Sequence, residues 1–389
     1  MELKTLRDMP SLKGKKVFVR VDFNVPLDDK GNVRDDKRIK HALPTLKFLL
    51  ENGASQLILA SHVGRPKNNE PELKTDKEAT KLGELLNMKV AKVDNWGEKG
   101  IPNEKIVMLE NLRFHAGEKS KDEAERDAFG KQMASLADFY VNEAFSNSHR
   151  KHASMTSIPK FIPGYAGMGV EKEVAGIGKA IESPEHPLIA VIGGLKADKL
   201  SAIRNLMNIA DKVLVAGALA YSLRKAQGFN VGNTKVDNEG MEEQADLVKE
   251  IIKSPKVILP VDAVLADEFS ETAKSKTVSY DAIENGWMAL DIGPKTVDNY
   301  VNEIKKAKTI LWFGPIGVFE MKPFAEGTEA IGNAIANSKA LSIVGGGDSA
   351  SAVKKLGLVD KMTLVSTGGG ASLEMIEGKE MPGLKILQK

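Results

Sequence analysis

Four short apolar runs in the first half of the chain each give way to residues able to grip an anion. Residues 17–23 carry Arg20 and end on Asp22 and Phe23, with Asn24 next. Residues 56–60 run into Ser61, His62, Val63, Gly64 and Arg65, and residues 106–109 into Glu110, Asn111, Leu112 and Arg113. Residues 139–144 lead to Asn147, Ser148, His149 and Arg150, and Arg38 opens the stretch after the first run. Arginine suits phosphate and carboxylate because its planar fork donates two parallel hydrogen bonds. Cations and donors repeated at one edge predict a pocket for a small, multiply charged anion. For any single arginine the plainer alternative is a surface ion pair.

The second half repeats the pattern with different chemistry. Its apolar runs end in Gly193-Gly194-Leu195-Lys196, Ala216-Gly217-Ala218, Gly314-Pro315-Ile316-Gly317, Gly345-Gly346-Gly347-Asp348-Ser349 and Gly368-Gly369-Gly370-Ala371-Ser372. Glycine lets backbone N–H groups approach a phosphate, and a helix starting just beyond adds a favourable dipole. One such run is usually a tight turn; five predict a nucleotide cleft. Asp348 is the sole carboxylate inside these runs, placed to hold a Mg²⁺ that keeps most of its water. It also suits the N-cap of a helix beginning near Ser349, and the two readings are compatible.

Other motifs conflict or fail. Gly345 to Ala350 fits the dinucleotide fingerprint G-x-G-x-x-A, but the next apolar run ends Val365-Ser366-Thr367, without the acid that would grip a ribose. No G-x-x-x-x-G-K-[ST], H-E-x-x-H or G-x-S-x-G occurs, which removes the usual P-loop, zinc-peptidase and serine-hydrolase signals. His149 and His152 have no third ligand at metal spacing beside them. Met207, Met288 and Met375 fall in apolar contexts and read as core.

Parallel α/β folding is what would bring such residues to one edge, since ligands bind beyond the carboxyl ends of the strands. Further strands are expected at 188–192, 212–215, 256–260, 309–313, 341–344 and 363–365. Helices are expected at 37–51, 79–86, 123–136, 202–209, 239–252, 327–336 and 349–356. A boundary falls within 163–187, where five glycines and two later prolines flank a charged stretch. The expected division is 1–168, a connecting helix over 169–187, and 188–375.

The 389 residues, 42% of them hydrophobic, can build two full cores. Cysteine is absent, which excludes disulfides, thiolate metal sites and a cysteine nucleophile, and fits a reducing cytoplasm. The first residues show no signal-peptide pattern, and no apolar run approaches the ~20 residues of a membrane span. A net charge of +2 with 5% aromatics lacks the basic, aromatic-interleaved stripe of a nucleic-acid binder.

A small anion in one domain and a nucleotide in the other define a kinase whose domains close to exclude water. No aspartate is clearly placed as a base, which leans towards a carboxylate acceptor, already ionised at neutral pH.

The chain resembles phosphoglycerate kinases along essentially its whole length. "RVDFNVP" (Arg20–Pro26), "SHVGRPK" (Ser61–Lys67), "LENLRFH" (Leu109–His115), "DIGPKT" (Asp291–Thr296), "GPIGVFE" (Gly314–Glu320), "GGGDSA" (Gly345–Ala350) and "STGGGASLE" (Ser366–Glu374) match in order. The resemblance implies two Rossmann-like α/β domains with parallel sheets facing across a hinged cleft, and a segment over 376–389 returning to the first domain. The implied reaction is transfer from 1,3-bisphosphoglycerate to Mg-ADP, giving 3-phosphoglycerate and Mg-ATP in glycolysis, by a monomeric cytoplasmic enzyme using neither nucleic acid nor membrane. By matching motif, Asp22, Phe23, Asn24, His62, Val63, Gly64, Arg65, Arg113, His149 and Arg150 would hold phosphoglycerate. Arg38 looks like the transition-state arginine. Lys196 and Lys199 look like the phosphate-contacting lysines, and Glu320 like the ribose ligand. Gly217, Gly314, Gly346, Gly347, Asp348 and Ser349 would hold nucleotide, with Asp348 on Mg²⁺, while Gly369 and Gly370 would offer amides to the moving group.

Departures from the family gather on the nucleotide side. "GGLKADK" brings Lys196 and Lys199 one position closer than usual, Ala216 and Ala218 replace glycines, and Phe313 replaces an asparagine. The added methyls are expected to narrow the room beside the adenine, and Phe313 to lose an amide hydrogen bond, each costing ~1 kcal/mol or more of nucleotide binding. A catalytically weak paralogue is therefore a second reading, and a nicotinamide dehydrogenase a third.

Overall fold

Lys16–Val21 (β1) is buried at every position after its first, the mark of a central strand covered on both faces. It pairs in parallel with Gln56–Ala60 (β2) and Phe139–Glu143 (β5). With Val90–Val93 (β3), Ile106–Leu109 (β4) and Gly164–Ala166 (β6) it forms a six-stranded sheet, all pairs parallel, in the order β3-β4-β2-β1-β5-β6. The structure is a computed structural model, described over residues 1–29 and 31–389, with only the backbone considered at residues 98 and 99. Val17, Val19, Leu57, Leu59, Met108 and Val141 pack with Ile39, Leu46 and Leu49 of the helix Lys37–Glu51 into one core.

A second six-stranded sheet, again wholly parallel in its pairings, joins Leu188–Ile192 (β7), Lys212–Val215 (β8), Val257–Ile258 (β9), Thr309–Phe313 (β13), Leu341–Gly345 (β14) and Leu364–Val365 (β15). Its order is β15-β14-β13-β7-β8-β9. The expected α/β class with two parallel sheets is what the chain forms.

Between β9 and β13 lies a sheet that the sequence reading did not predict. Asp262–Ala266 (β10) pairs antiparallel with Ser275–Ser279 (β11) and Met288–Ile292 (β12). Most of β11 is polar and partly exposed, so its apolar signal is too weak to register. The run expected as a strand over 256–260 shrinks to two residues. The edge strands β3 and β6 were also unforeseen; β3 is only partly buried, and β6 opens on glycine.

The helix expected over 239–252 is two, Asn238–Glu243 and Ala245–Lys253, broken at Gln244. The helix Gly217–Ala226 was unforeseen because its Ala-Gly-Ala start reads as a turn.

Contacts divide the chain into residues 1–175 with 380–389, and residues 176–379. The helix Met168–Glu182 runs through the division. The closing segment belongs to the first unit: Lys4 donates its backbone N–H to the Leu387 carbonyl at 2.8 Å, and Gly383 donates to that of Ser148 at 2.9 Å. Leu384 and Leu387 are buried there.

Candidate active site

In the first unit the four anion-gripping strand ends come from β4, β2, β1 and β5, which are contiguous in the sheet. Adjacency of those strands is what turns scattered motifs into one rim. Asp22 Oδ2 accepts from Arg38 Nη1 at 2.6 Å and from the Ser146 hydroxyl. Burial opposes its charge, but Arg38, His62 and Ser146 together hold its carboxyl below the usual range. Asn24 Oδ1 accepts from the Gly64 N–H at 2.9 Å, and Arg113 Nη1 donates to the Gly64 carbonyl at 2.5 Å. Asn111 staples the turns: its amide donates to the Val63 and Leu73 carbonyls, each at 2.8 Å, and its oxygen accepts from the N–H groups of Val63 and Arg113.

Phe23 and Val63, expected at the substrate, have buried side chains and committed backbone N–H groups, that of Phe23 donating to Ser61 Oγ at 2.9 Å. Arg65 and Arg150 are exposed at the rim.

The rim carries an excess of positive charge. Burial, with Arg150, Arg20 and Arg65 nearby, pushes the Arg113 guanidinium down to about 10. Burial first, and neighbouring arginines second, hold His149 down to about 4 and His152 to about 3. His62 lies well below its ordinary value for the same reasons. At neutral pH the rim histidines therefore add no positive charge to that of the arginines. No cluster of three metal-ligating side chains occurs among the described residues.

Several participants escaped the sequence reading. Arg20 was visible as a charge inside an apolar strand but was not placed in the site; it is fully buried behind His62. Ser146, Ser154 and Glu118 carried no signal at all.

In the second unit the five glycine turns follow β15, β14, β13, β7 and β8, again contiguous strands. The glycines serve two purposes. A side chain on Gly217, whose φ is +63°, would put its Cβ 2.6 Å from the Gly194 nitrogen and 3.0 Å from the Pro315 oxygen, so here glycine allows turn to pack on turn. At Gly347, Gly369 and Gly370 a Cβ would meet no atom within 4 Å. Those glycines border open space at the starts of the helices Gly347–Lys355 and Gly370–Ile376.

Lys199 Nζ donates to the Gly193 carbonyl, close by Gly194 and Gly314. Burial lowers its pKa, and the charges of Asp198 and then Asp348 offset part of that. Lys196 is exposed at the N-cap of the intervening turn, so the two lysines are presented differently. Asp348 is not the N-cap of its helix: Gly346 is, and Asp348 sits in the first turn without a capping bond. Its exposed carboxylate accepts no hydrogen bond among the described residues. Ser349 Oγ is buried and accepts from the Gly314 N–H at 2.6 Å, which fixes one turn to the next.

A cavity of about 580 Å³ opens beside these turns, lined by Gly194, Gly217, Ala218 and Asp348 on one side and by Tyr221, Met288, Leu290, Ile316, Val318 and Phe269 elsewhere. Met288, read as core, lines this cavity. Ala218 lines it as expected, whereas Ala216 faces the core and leaves the cavity unnarrowed. Phe313 is buried, with its ring directly beneath Gly345, and is not part of the cavity wall. Lys199, Gly314, Gly346 and Glu320 are likewise outside the wall; Glu320 is exposed, and its carbonyl takes Lys355 Nζ at 3.4 Å. Asp291 was unassigned: it lines the cavity, accepts from the N–H groups of Gly327 at 2.8 Å and Ile292 at 2.9 Å, and is pushed up to about 7 by burial.

The phosphoglycerate kinase family model matches residues 6–379. A phosphoglycerate kinase of Dictyoglomus turgidum (strain DSM 6724 / Z-1310) is 46% identical over 404 residues, covering 100% of both chains. The solved phosphoglycerate kinase of Coxiella burnetii superposes with a TM-score of 0.87 at 37% identity, over 99% of this chain and 98% of that one. That of Pyrococcus horikoshii OT3 gives 0.85 at 32% identity, over the same shares.

Proposed function

This chain belongs to the phosphoglycerate kinase family, and from that premise we propose which of its residues perform the transfer. The enzyme is a phosphotransferase with a carboxyl acceptor, working between 1,3-bisphosphoglycerate and ADP on one side and 3-phosphoglycerate and ATP on the other.

Arg65, Arg113, Arg150 and His62 bind the phosphate and carboxylate of phosphoglycerate, with Asn24 and Asp22 fixing its orientation and His149 beside them. Arg38, tied to Asp22 at rest, turns to the phosphoryl group as charge spreads over its oxygens. The observation that carries this reading is the crowding of Arg113 by Arg20, Arg65 and Arg150, an excess of positive charge that a bound anion relieves.

On the nucleotide side, Gly346, Gly347 and the helix start beyond them cradle phosphates, while Gly217, Gly314 and Ser349 hold the turns that shape the cleft. Lys196 and Lys199 supply positive charge along the transfer path, Gly369 and Gly370 offer amides to the moving group, and Glu320 takes the ribose. Asp348 fits a Mg²⁺ site: it is exposed, free of hydrogen bonds among the described residues and in no cluster of three metal-ligating side chains there, as expected for an ion held mainly by phosphate oxygens and water. Such an ion would neutralise charge between the phosphates.

Transfer needs groups from both units at one phosphoryl group, so catalysis involves their closure, which excludes water. The family's place in glycolysis supports a cytoplasmic, monomeric enzyme. No helix among the described residues is long and apolar enough to cross a membrane.

The test is a coupled assay of ATP-dependent phosphorylation of 3-phosphoglycerate with Mg²⁺. Turnover is expected; none with either ATP or GTP overturns the reading.

A further inference from the structure

Arg20 and His62 stand at the ends of neighbouring strands, where Arg20 lies opposite Ala60 in the β1–β2 register. Both side chains are buried. The Arg20 guanidinium donates from Nε to Ser154 Oγ at 2.8 Å, from Nη1 to the Val21 carbonyl, and from Nη2 to His62 Nδ1 at 3.2 Å. A guanidinium has five N–H donors and no acceptor. At this contact His62 Nδ1 can therefore only accept, and it must hold a lone pair. The ring proton is left on Nε2. A neutral imidazole has two tautomers, and here the partner on one nitrogen selects between them.

The other side of Arg20 is equally determined. Having accepted from Nε, the Ser154 hydroxyl donates its own proton to Glu118 Oε1 at 2.7 Å, and the Ser154 N–H donates to Glu118 Oε2 at 2.9 Å. Glu118 is fully buried. It stands as the countercharge to Arg20, reached through one hydroxyl. The Ser154 carbonyl is held in turn by the Tyr140 hydroxyl at 2.8 Å. The series Glu118, Ser154, Arg20, His62 has every proton position fixed by what its neighbour can accept.

The series ends open. His62 Nε2 has no hydrogen-bond partner among the described residues, and it is not one of the buried polar atoms left without one. The charged and titratable groups acting on the ring are Arg20, Asp22, Arg113 and His152. A second proton, on Nδ1, would set N–H against N–H at Arg20; Asp22 alone favours it, against burial and both arginines.

We propose that Arg20, anchored by Ser154 and Glu118, is a positioning residue that locks His62 in the Nε2–H tautomer and so presents a fixed hydrogen-bond donor to the phosphoglycerate anion. The donor half of this inference rests on the reading that His62 binds phosphoglycerate; the tautomer half stands on the contacts alone. A histidine free to exchange tautomers would present a lone pair to the anion part of the time, and that form repels it.

The test uses the full chain, ¹⁵N-labelled, with the His62 ring nitrogens assigned by the signals lost in His62→Gln. In the wild type, long-range ¹H–¹⁵N spectra are expected to show Nδ1 unprotonated and Nε2 protonated, unchanged from pH 8 down to about pH 5.5. In Arg20→Met the ring is expected to sample both tautomers or to protonate within that range. The same variant should raise KM for 3-phosphoglycerate on the order of tenfold, with KM for ATP unchanged. Ser154→Ala, which keeps both charges, should show the same pattern at a few-fold, and it serves if Arg20→Met does not fold. A protonated Nδ1 in the wild type overturns the proposal, as does an unaltered tautomer and KM in the variants. Wild-type turnover of 3-phosphoglycerate checks the underlying functional reading separately, since the spectra require no activity.

Discussion

Arg38 Nη1 lies 2.6 Å from Asp22 Oδ2, and the Ser146 hydroxyl donates to the same oxygen. The arginine side chain is 36% exposed and the carboxylate 11%, so the pair is screened on one side only. Asp22 thus gives Arg38 a partner that an arriving anion would have to compete with.

From that arrangement Arg38→Ala should lower kcat by about 2.7–4 kcal/mol in transition-state terms, with near-normal binding of 3-phosphoglycerate. Steady-state kinetics beside a direct binding titration decide it. A large loss of binding would make Arg38 a substrate clamp instead.

Gly217→Ala should weaken ATP binding while leaving 3-phosphoglycerate binding intact. Its Cβ would meet the Gly194 and Pro315 backbones within about 3 Å, so two cradle turns must part to admit one methyl. A tenfold or greater rise in KM for ATP is expected, from a strain on the order of 1–3 kcal/mol. An unchanged KM would mean that the turns are not held to this spacing.

Stability should fall between pH 6.5 and 8. Glu143 is pushed up to about 8 by burial, which outweighs its bonds from Thr45 and Gly169. Glu78 and Asp291 are pushed up to about 7, burial again leading. The folded chain then binds more protons than the unfolded one, so rising pH favours unfolding until Glu143 has ionised. His41, His62, His115, His149 and His152 are depressed, burial leading in each, and act oppositely, but only below about 6.5. Denaturant titrations should show a loss on the order of 3 kcal/mol across that window. In Glu143→Gln the decline should be roughly halved, with Glu78 and Asp291 left to titrate; an identical slope would assign it elsewhere.

Phe313→Asn restores the residue that the family motif leads one to expect, yet it should destabilise this chain. The ring is buried under Gly345, and an asparagine there leaves both a void and an unpaired amide. A cost of about 3–5 kcal/mol is expected, read as a fall in the denaturation midpoint.

What the sequence made legible was local. Strand ends followed by His62, Arg113 and Arg150, or by glycine, follow from short-range pattern, and parallel sheets then gather them. What stayed hidden is pairing at long separation. Ser154 meets Arg20 across 134 positions, and nothing in either segment announces the other. The dual use of glycine was hidden for the same reason: Gly217 and Gly347 look alike in a string, and only the neighbouring turns distinguish packed from open. Asp348 was read as a cap because aspartate favours that position, but Gly346 took it with a positive φ of 93° that aspartate rarely adopts.

The closing segment that zips onto Lys4 and Ser148 also sets an order of assembly. Residues 176–379 are continuous, so their core can form while synthesis is under way. The first unit cannot be finished until its last strap emerges from the ribosome, because Asn142 waits for the Gly383 carbonyl, and Leu384 and Leu387 fill its core. Without residues 380–389, Asn142 would lose the Gly383 carbonyl and the places of Leu384 and Leu387 in the first core would stand empty.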